Sequence, residues 1–204
     1  MWSEAYDDFR KIVSHPFNLQ LASGTLNKEA FREYLEQDIL YIREDARALA
    51  LTAAKAPRKE EALFLSKLAN DGIELEKALH VQLAESFPTR RNPGMNSACK
   101  AYSDFLLRTA AEKSYQESVA ALLPCYWIYQ SAGIETAGKS TTENPYQAWL
   151  DTYSGVEFAN YTREFIQLVE GTARESEEAM RNRMLRAFLS SVAYELGFIQ
   201  NIEL

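Results

Sequence analysis

Three side chains with reactive chemistry occupy helical faces that are otherwise apolar: Cys125, Asp38 and Glu195. Cys125 lies in the segment ALLPCYWIYQ, and at helical spacing it shares a stripe with Ala121, Leu122, Ile128 and Tyr129. A cysteine in such a place is either a small core residue or a nucleophile, because free cysteines are often buried and a thiolate is strongly nucleophilic. Both interpretations stay open from the residues alone.

The two carboxylates, Asp38 and Glu195, raise the same question. The helical neighbours of Asp38 are Phe31, Tyr34, Leu35, Tyr41 and Ile42. Those of Glu195 are Phe188, Ser191, Val192, Phe198 and Ile199. A buried carboxylate must be protonated, paired or hydrogen-bonded, since burial of a bare charge costs several kcal/mol. We therefore expect either ion pairs with arginines such as Arg43 or Arg186, or one polar pocket that holds both carboxylates.

Helices must position these groups, since apolar residues recur at helical spacing along nearly the whole chain without sustained alternation. We predict helices at about residues 2–14, 27–56, 58–86, 94–112, 115–131, 145–153, 156–173 and 176–200, with a short helical turn before Gly24. Two segments rich in Gly, Pro, Ser and Thr, 88–94 and 131–145, predict loops. Neither separates two cores, so we predict one all-α, multi-helix bundle domain over residues 1–204.

The overall charge and the cysteine count exclude several classes of protein. A net charge of −7 leaves no basic excess for phosphate, so neither nucleic acid nor an anionic membrane is an expected partner. The two cysteines, Cys99 and Cys125, form no CxxC pair, which favours a reducing cytoplasm over a disulfide framework. The N-terminal segment does not resemble a signal peptide, and no apolar run approaches the ~20 residues of a membrane helix.

The sequence gives little support for a metal site or a heme site. The chain has two histidines, His15 and His80, and lacks the repeated Glu-x-x-His motif of ferritin-like di-iron sites. Glu76 and His80 stand one helical turn apart, a spacing that is also typical of a surface contact. His15 precedes a proline, so it more simply ends a helix than binds heme. We expect no cofactor.

Five segments, taken in order along the chain, resemble the TenA family, also called thiaminase II. They are HPFNLQLASGTL, FREYLEQDILYI, LLPCYWIY, NPYQAWLDTYSGVEF and YELGF, and the similarity covers nearly the whole chain. The cysteine of LLPC resembles the cysteine-bearing branch of the family. The resemblance implies a heme-oxygenase-like fold, usually a homotetramer, that hydrolyses 4-amino-5-aminomethyl-2-methylpyrimidine to its hydroxymethyl product in thiamin salvage. Some members of the family cleave thiamin itself.

The resemblance also implies roles for individual residues. Cys125 matches the family nucleophile, Glu195 matches the acid at a pyrimidine ring nitrogen, and Asp38 matches the carboxylate at the aminopyrimidine edge. The implied pocket aromatics are Tyr41, Tyr102, Tyr129, Tyr153 and Phe198. The chain departs from the family pattern, which favours aromatic residues, at Leu196, Gly197 and Ile199.

The chemistry of such a substrate requires these groups to lie together. Its leaving group hangs on a methylene at ring carbon 5 and cannot depart until the ring loses its aromaticity. A thiolate adds to carbon 6 while ring nitrogen 1 gains a proton, so Cys125 and Glu195 must reach the same ring edge. Glu195 then needs a raised pKa and Cys125 needs a base, which the sequence does not identify. The alternative is a pyrimidine-binding or regulatory protein without turnover.

Overall fold

The computed structural model describes residues 1–90, 93–140 and 143–204, except for the side chain of His80. All regular elements in these residues are α-helices, so the all-α prediction is confirmed. In chain order they are α1 (Trp2–Val13), α2 (Pro16–Ser23), α3 (Lys28–Ala53), α4 (Lys59–Leu83), α5 (Ser97–Glu112), α6 (Tyr115–Ala137), α7 (Gln147–Ser154), α8 (Val156–Arg174) and α9 (Glu178–Gln200). Within the described part of the chain, no helix has the length and apolarity needed to cross a membrane.

Local side chains fix the turns between the first three helices. The Nδ1 atom of His15 accepts a hydrogen bond of 3.3 Å from the backbone N–H of Phe17 and so caps α2. Gly24 ends α2 with a φ of 72°, a left-handed conformation that favours glycine. The side-chain oxygen of Asn27 accepts a 2.8 Å hydrogen bond from the N–H of Glu29 and starts α3. His15 therefore serves as a helix cap.

Helix α6 is the central helix of the bundle. It packs against α9, α8 and α7, and it also contacts α3 and α5. Residues 119–123 of α6 are all buried, as expected for a helix that other helices surround. The side chains that carry the predicted chemistry come from α3, α5, α6, α7 and α9, which meet at this central helix.

The predicted end of α6 at residue 131 is wrong, because the helix continues to Ala137. The Gly and Thr residues that predict a loop there serve helix packing instead, and Ala132, Gly133 and Thr136 are buried. A Cβ atom on Gly133 would lie 2.8 Å from the carbonyl carbon of Tyr153, so only glycine allows α7 to approach this closely. Residues 91–92 and 141–142 of the two predicted loops lie outside the described residues.

Candidate active site

Three helices bring the predicted catalytic residues to one region of the interior. Cys125 lies near the middle of α6, Glu195 near the end of α9, and Asp38 in α3. Glu195 and Asp38 are each 5% exposed, so the burial predicted from their helical faces is confirmed. Cys125 is half-buried and packs against the apolar core.

Glu195 is surrounded by hydrogen-bond donors in an otherwise apolar setting. The Tyr102 hydroxyl donates a hydrogen bond of 2.7 Å to Oε1 of Glu195, and it also lies 2.8 Å from Oγ of Ser191. Burial raises the pKa of Glu195 to about 8, although hydrogen bonds from Tyr102 and from the Cys125 thiol act in the opposite direction. At neutral pH Glu195 is therefore a neutral carboxylic acid in contact with the thiol.

Asp38 has a similar environment. Burial raises its pKa to about 8, the negative charge of Glu76 adds to this effect, and a hydrogen bond from Tyr153 opposes it. A neutral carboxylic acid both donates and accepts hydrogen bonds, so Asp38 is suited to a ligand edge that presents one donor and one acceptor.

Arginine does not compensate either of these carboxyl groups. No ion pair among the described residues includes Asp38 or Glu195, and Arg186 is exposed. Burial raises the pKa of Glu76, and the positive charge of Arg43 acts on this carboxyl group in the opposite direction. The arginine interpretation is therefore wrong, and tyrosine hydroxyls supply the hydrogen bonds instead.

The Cys125 thiol is held in its protonated form. Burial raises its pKa well above the usual range, and the negative charges of Glu195 and Asp45 raise it further. The nearby Tyr41 hydroxyl offsets part of this shift. Cys125 must therefore lose its proton to a neighbour at the moment when it attacks.

Two small cavities share Tyr129 as a lining residue. The first, of about 50 Å³, is lined mainly by apolar surface, and its lining residues include Asp38, Asp45, Glu76, Cys125, Tyr126, Tyr129 and Tyr153. The second, of about 20 Å³, has Glu195, Asn18, Tyr34, Trp149 and Ile199 among its lining residues. Cys125 and Glu195 thus border different cavities, although the thiol is close enough to lower the pKa of Glu195 by hydrogen bonding.

The five predicted aromatic residues divide into two groups. Tyr129 and Tyr153 border the first cavity, with ring centroids 5.1 Å apart. Tyr41 stacks on Tyr102 at 4.8 Å, and Phe198 meets the Tyr41 ring edge-on at 6.0 Å. These three side chains are buried and line neither cavity. Tyr102 is linked to the site by its hydrogen bond to Glu195.

Asp45 is a member of the site that the sequence analysis does not include. It is 5% exposed, and its Oδ2 accepts a hydrogen bond of 3.3 Å from the Tyr126 hydroxyl. Its Oδ1 is buried and has no hydrogen-bond partner among the described residues. Burial raises the pKa of Asp45 to about 7. The signal was available, because Asp45 follows Asp38 by seven residues and Tyr41 by four, on one helical face.

The described residues contain no group of three or more His, Cys, Asp or Glu side chains that could hold a metal ion. The predicted pairing of Glu76 with His80 lies outside the described part of the structure, because the His80 side chain is not described. His15 uses its Nδ1 atom to cap α2.

The helical bundle, with a half-buried thiol and two buried carboxyl groups in its interior, can be compared with known families. The model of the TENA/THI-4/PQQC family matches residues 4–203. The chain belongs to this family.

Two curated relatives illustrate the range of proteins that contain this unit. The chain is 33% identical over 199 residues to the thiamine biosynthesis multifunctional protein ThiED of Corynebacterium glutamicum, a match that covers 97% of the chain. It spans only 26% of that relative's length. The chain is also 30% identical over 188 residues to the aminopyrimidine aminohydrolase of Bacillus subtilis, covering 90% of the chain and 80% of the relative.

Solved structures confirm the fold that the resemblance implies. A TenA homologue from P. horikoshii OT3 aligns with a TM-score of 0.87 and 29% identity, over 98% of this chain and 94% of that chain. A domain with a heme oxygenase-like fold from Shewanella denitrificans aligns with a TM-score of 0.77, over 98% of this chain and 89% of that chain. At 11% identity this second likeness concerns the fold alone.

Proposed function

We propose that this protein is an aminopyrimidine aminohydrolase. It converts 4-amino-5-aminomethyl-2-methylpyrimidine to the 5-hydroxymethyl compound, in thiamin salvage, through a covalent adduct with Cys125. The observation that carries the proposal is that the Cys125 thiol and the Glu195 carboxyl group are close enough to shift each other's pKa, in a site with buried aromatic side chains. Membership of the TENA/THI-4/PQQC family and the similarity to the Bacillus subtilis aminopyrimidine aminohydrolase support the substrate class.

In the first step the sulfur of Cys125 adds to ring carbon 6. Because the thiol is the resting form, its proton must pass to a neighbour while the carbon–sulfur bond forms. Glu195 contacts the thiol, so it takes up this proton on one oxygen while its own proton passes to ring nitrogen 1. The step breaks the S–H bond, forms the C–S bond and leaves Glu195 neutral. This relay assigns the base that the sequence leaves open.

In the second step the leaving group departs from the methylene on ring carbon 5. Neutral Asp38 donates a hydrogen bond to ring nitrogen 3 and accepts one from the 4-amino group, and so holds the ring in place. The lone pair of the amino nitrogen moves toward carbon 5, an exocyclic double bond forms, and the substrate ammonium leaves as ammonia. Water adds to the methylene and gives its proton to the ammonia. The first step then reverses, releasing the thiol and the aromatic product.

The aromatic side chains provide the walls of the site. Tyr129 and Tyr153 stack beside the ring, while Tyr41, Tyr102 and Phe198 support it from behind. The two cavities, of about 50 and 20 Å³, are far smaller than the ~300 Å³ at the lower end of ligand pockets. We infer that Tyr129, which borders both, moves when the substrate binds and joins them.

The proposal extends to assembly, which rests on the family resemblance, and to location, which rests on the cysteine usage of the chain. We propose a single-domain protein that forms a cytoplasmic homotetramer. Light scattering of the purified protein should then give a mass near four times the chain mass of 23.2 kDa. A mass equal to one or two chains would contradict the tetramer.

The proposed activity is tested by incubating the protein with 4-amino-5-aminomethyl-2-methylpyrimidine and, separately, with thiamin. Mass spectrometry then measures the rate at which the hydroxymethylpyrimidine forms. We expect product from the aminomethyl compound at the higher rate. Thermal stabilisation by this compound without any product would instead identify a pyrimidine-binding protein and overturn the enzyme.

A further inference from the structure

The position of the leaving group follows from the order of atoms around the substrate ring. Nitrogen 1 is followed by carbon 6, then by carbon 5 with its methylene, and then by carbon 4 with the amino group. On the proposed function, Glu195 faces nitrogen 1, Cys125 faces carbon 6 and Asp38 faces the 4-amino group. The substituent on carbon 5 must therefore project between Cys125 and Asp38.

The cavity of about 50 Å³ lies in this place. Cys125 and Asp38 both border it, whereas Glu195 borders the other cavity. The leaving group of a bound substrate would therefore enter the cavity that also contains Asp45.

The lining of this cavity includes two carboxyl groups that the proposed mechanism does not use, Glu76 and Asp45, and the more deeply buried of them is Asp45. Its Oδ2 is engaged by the Tyr126 hydroxyl at 3.3 Å, which fixes the orientation of the side chain. Its Oδ1 is buried and without a hydrogen-bond partner among the described residues. A buried oxygen acceptor with no partner is unfavourable, and a donor on a ligand would satisfy it.

Charge restricts which donor fits. Asp38, Asp45 and Glu76 are among the residues that line the cavity, and none of the described residues that line it is basic. A positively charged donor therefore meets no like charge there and would stabilise the ionised form of Asp45. A primary ammonium group supplies both the positive charge and the N–H donors.

We propose that the unpaired Oδ1 of Asp45 accepts a hydrogen bond from the protonated amine on the substrate methylene. Asp45 is then the residue that selects substrates with an alkylammonium leaving group, and Tyr126 positions it. This inference rests on the proposed function. It adds no bond-making step, because the amine still departs as ammonia in the elimination described above.

The test compares two ligands that differ only in the group on the methylene, the 5-aminomethyl and the 5-hydroxymethyl pyrimidine. Binding is measured by calorimetry at neutral pH in a Cys125→Ser background, in which we expect turnover to be at least about 10³-fold slower than in the wild type. We expect this background to prefer the aminomethyl compound by at least about tenfold, since hydrogen bonds to charged groups are strong. Adding Asp45→Asn should weaken the binding of the aminomethyl compound at least about tenfold. The affinity for the hydroxymethyl compound should change less than about threefold.

Glu44→Gln is the matched control, because it removes one negative charge from the neighbouring position of α3, where the side chain pairs with Arg47. It should leave both affinities nearly unchanged. Asp45→Ser replaces Asp45→Asn if the latter does not fold, as judged by circular dichroism. The role of Asp45 would be overturned if the folded Asp45 variant lost affinity for both ligands equally, or if its preference for the aminomethyl compound were unchanged.

The outcome also separates this inference from the proposed function. If the Cys125→Ser protein binds both pyrimidines equally while the wild type hydrolyses the aminomethyl compound, only the role of Asp45 fails. If neither pyrimidine binds and the wild type forms no product, the proposed function fails and the role of Asp45 fails with it.

Discussion

The Tyr102 hydroxyl lies 2.7 Å from Oε1 of Glu195 and joins α5 to α9 in the interior. The Tyr102 side chain is fully buried, and its hydroxyl also lies 2.8 Å from Oγ of Ser191. This hydrogen bond stabilises the ionised form of Glu195 and so lowers its pKa, whereas burial, the larger effect, raises it to about 8. The pair therefore determines the pH at which the proposed acid loses its proton.

The first prediction concerns the pH dependence of activity. Glu195 must be protonated to act as an acid, so kcat/KM should fall as pH rises through about 8. Tyr102→Phe removes the hydrogen bond that lowers this pKa, and we expect the alkaline fall to move upward by about 1 unit. The measurement is the pH profile of kcat/KM for both enzymes with the same substrate, because the comparison cancels the ionisation of the substrate itself.

Ser191→Ala is the control for this change. It removes the second contact of Tyr102 but keeps the bond to Glu195, so its alkaline limb should coincide with that of the wild type. A Tyr102→Phe profile that is unmoved, or that moves to lower pH, would contradict the assignment of Glu195 as the titrating acid.

The second prediction concerns the close approach of α6 and α7. A Cβ atom at residue 133 would lie 2.8 Å from the carbonyl carbon of Tyr153 and 2.9 Å from its Cβ atom. Gly133→Ala should therefore destabilise the protein by about 1 to 3 kcal/mol and lower Tm by about 2 to 12 °C. Activity should also fall, because Tyr153 borders the site.

Gly171→Ala in α8 provides the matched control in thermal unfolding. Apart from the backbone of its own helix, no atom lies within 4 Å of a Cβ at this position. Alanine should therefore leave the free energy of unfolding unchanged or raise it by up to about 1 kcal/mol through its helix propensity, and Tm should not fall. Equal melting temperatures for the two alanine variants would show that the contact between Gly133 and Tyr153 is not restrictive.

The third prediction concerns the stability of the unliganded protein. Burial raises the pKa of Asp45 from 3.8 to about 7, so the folded state retains a proton that the unfolded state releases between these values. The contribution of Asp45 to stability is then complete below about pH 4 and is lost as pH rises through about 7. Asn at this position does not titrate, so Asp45→Asn should gain stability relative to the wild type by up to about 1.4 kcal/mol per pH unit in this range.

Urea unfolding of both proteins at pH 5 and at pH 8 measures this difference. The free energy of unfolding of the variant minus that of the wild type should be larger at pH 8. A difference that is the same at both pH values would mean that Asp45 titrates alike in the folded and unfolded protein.

Helical periodicity was sufficient to predict the all-α fold and the burial of Asp38 and Glu195. A residue's face on its own helix depends on local spacing, which the sequence contains directly. Asp45 lies on the same face as Asp38 and could have been found by the same rule. Its partner Tyr126 comes from α6, and such a contact between helices leaves no local pattern.

Contacts between helices also explain the predictions that are wrong. Arg43 was an expected partner of a buried carboxylate, yet its charge acts on Glu76 of α4. Gly133 suggested a loop because glycine weakens helices, but it is required where α7 approaches α6. In both cases the deciding neighbour lies far away in the sequence.

Addition of Cys125 to ring carbon 6 is the central step of the proposed reaction, and the Cys125→Ser enzyme tests it most directly. Cys99→Ser is the control, because Cys99 is fully buried and donates from Sγ to the carbonyl oxygen of Gln37 at 3.5 Å. We predict that Cys125→Ser forms hydroxymethylpyrimidine at least about 10³-fold more slowly than the wild type, still binds the aminomethyl compound, and that Cys99→Ser remains active. Turnover by Cys125→Ser within about tenfold of the wild-type rate would contradict covalent catalysis by this thiol.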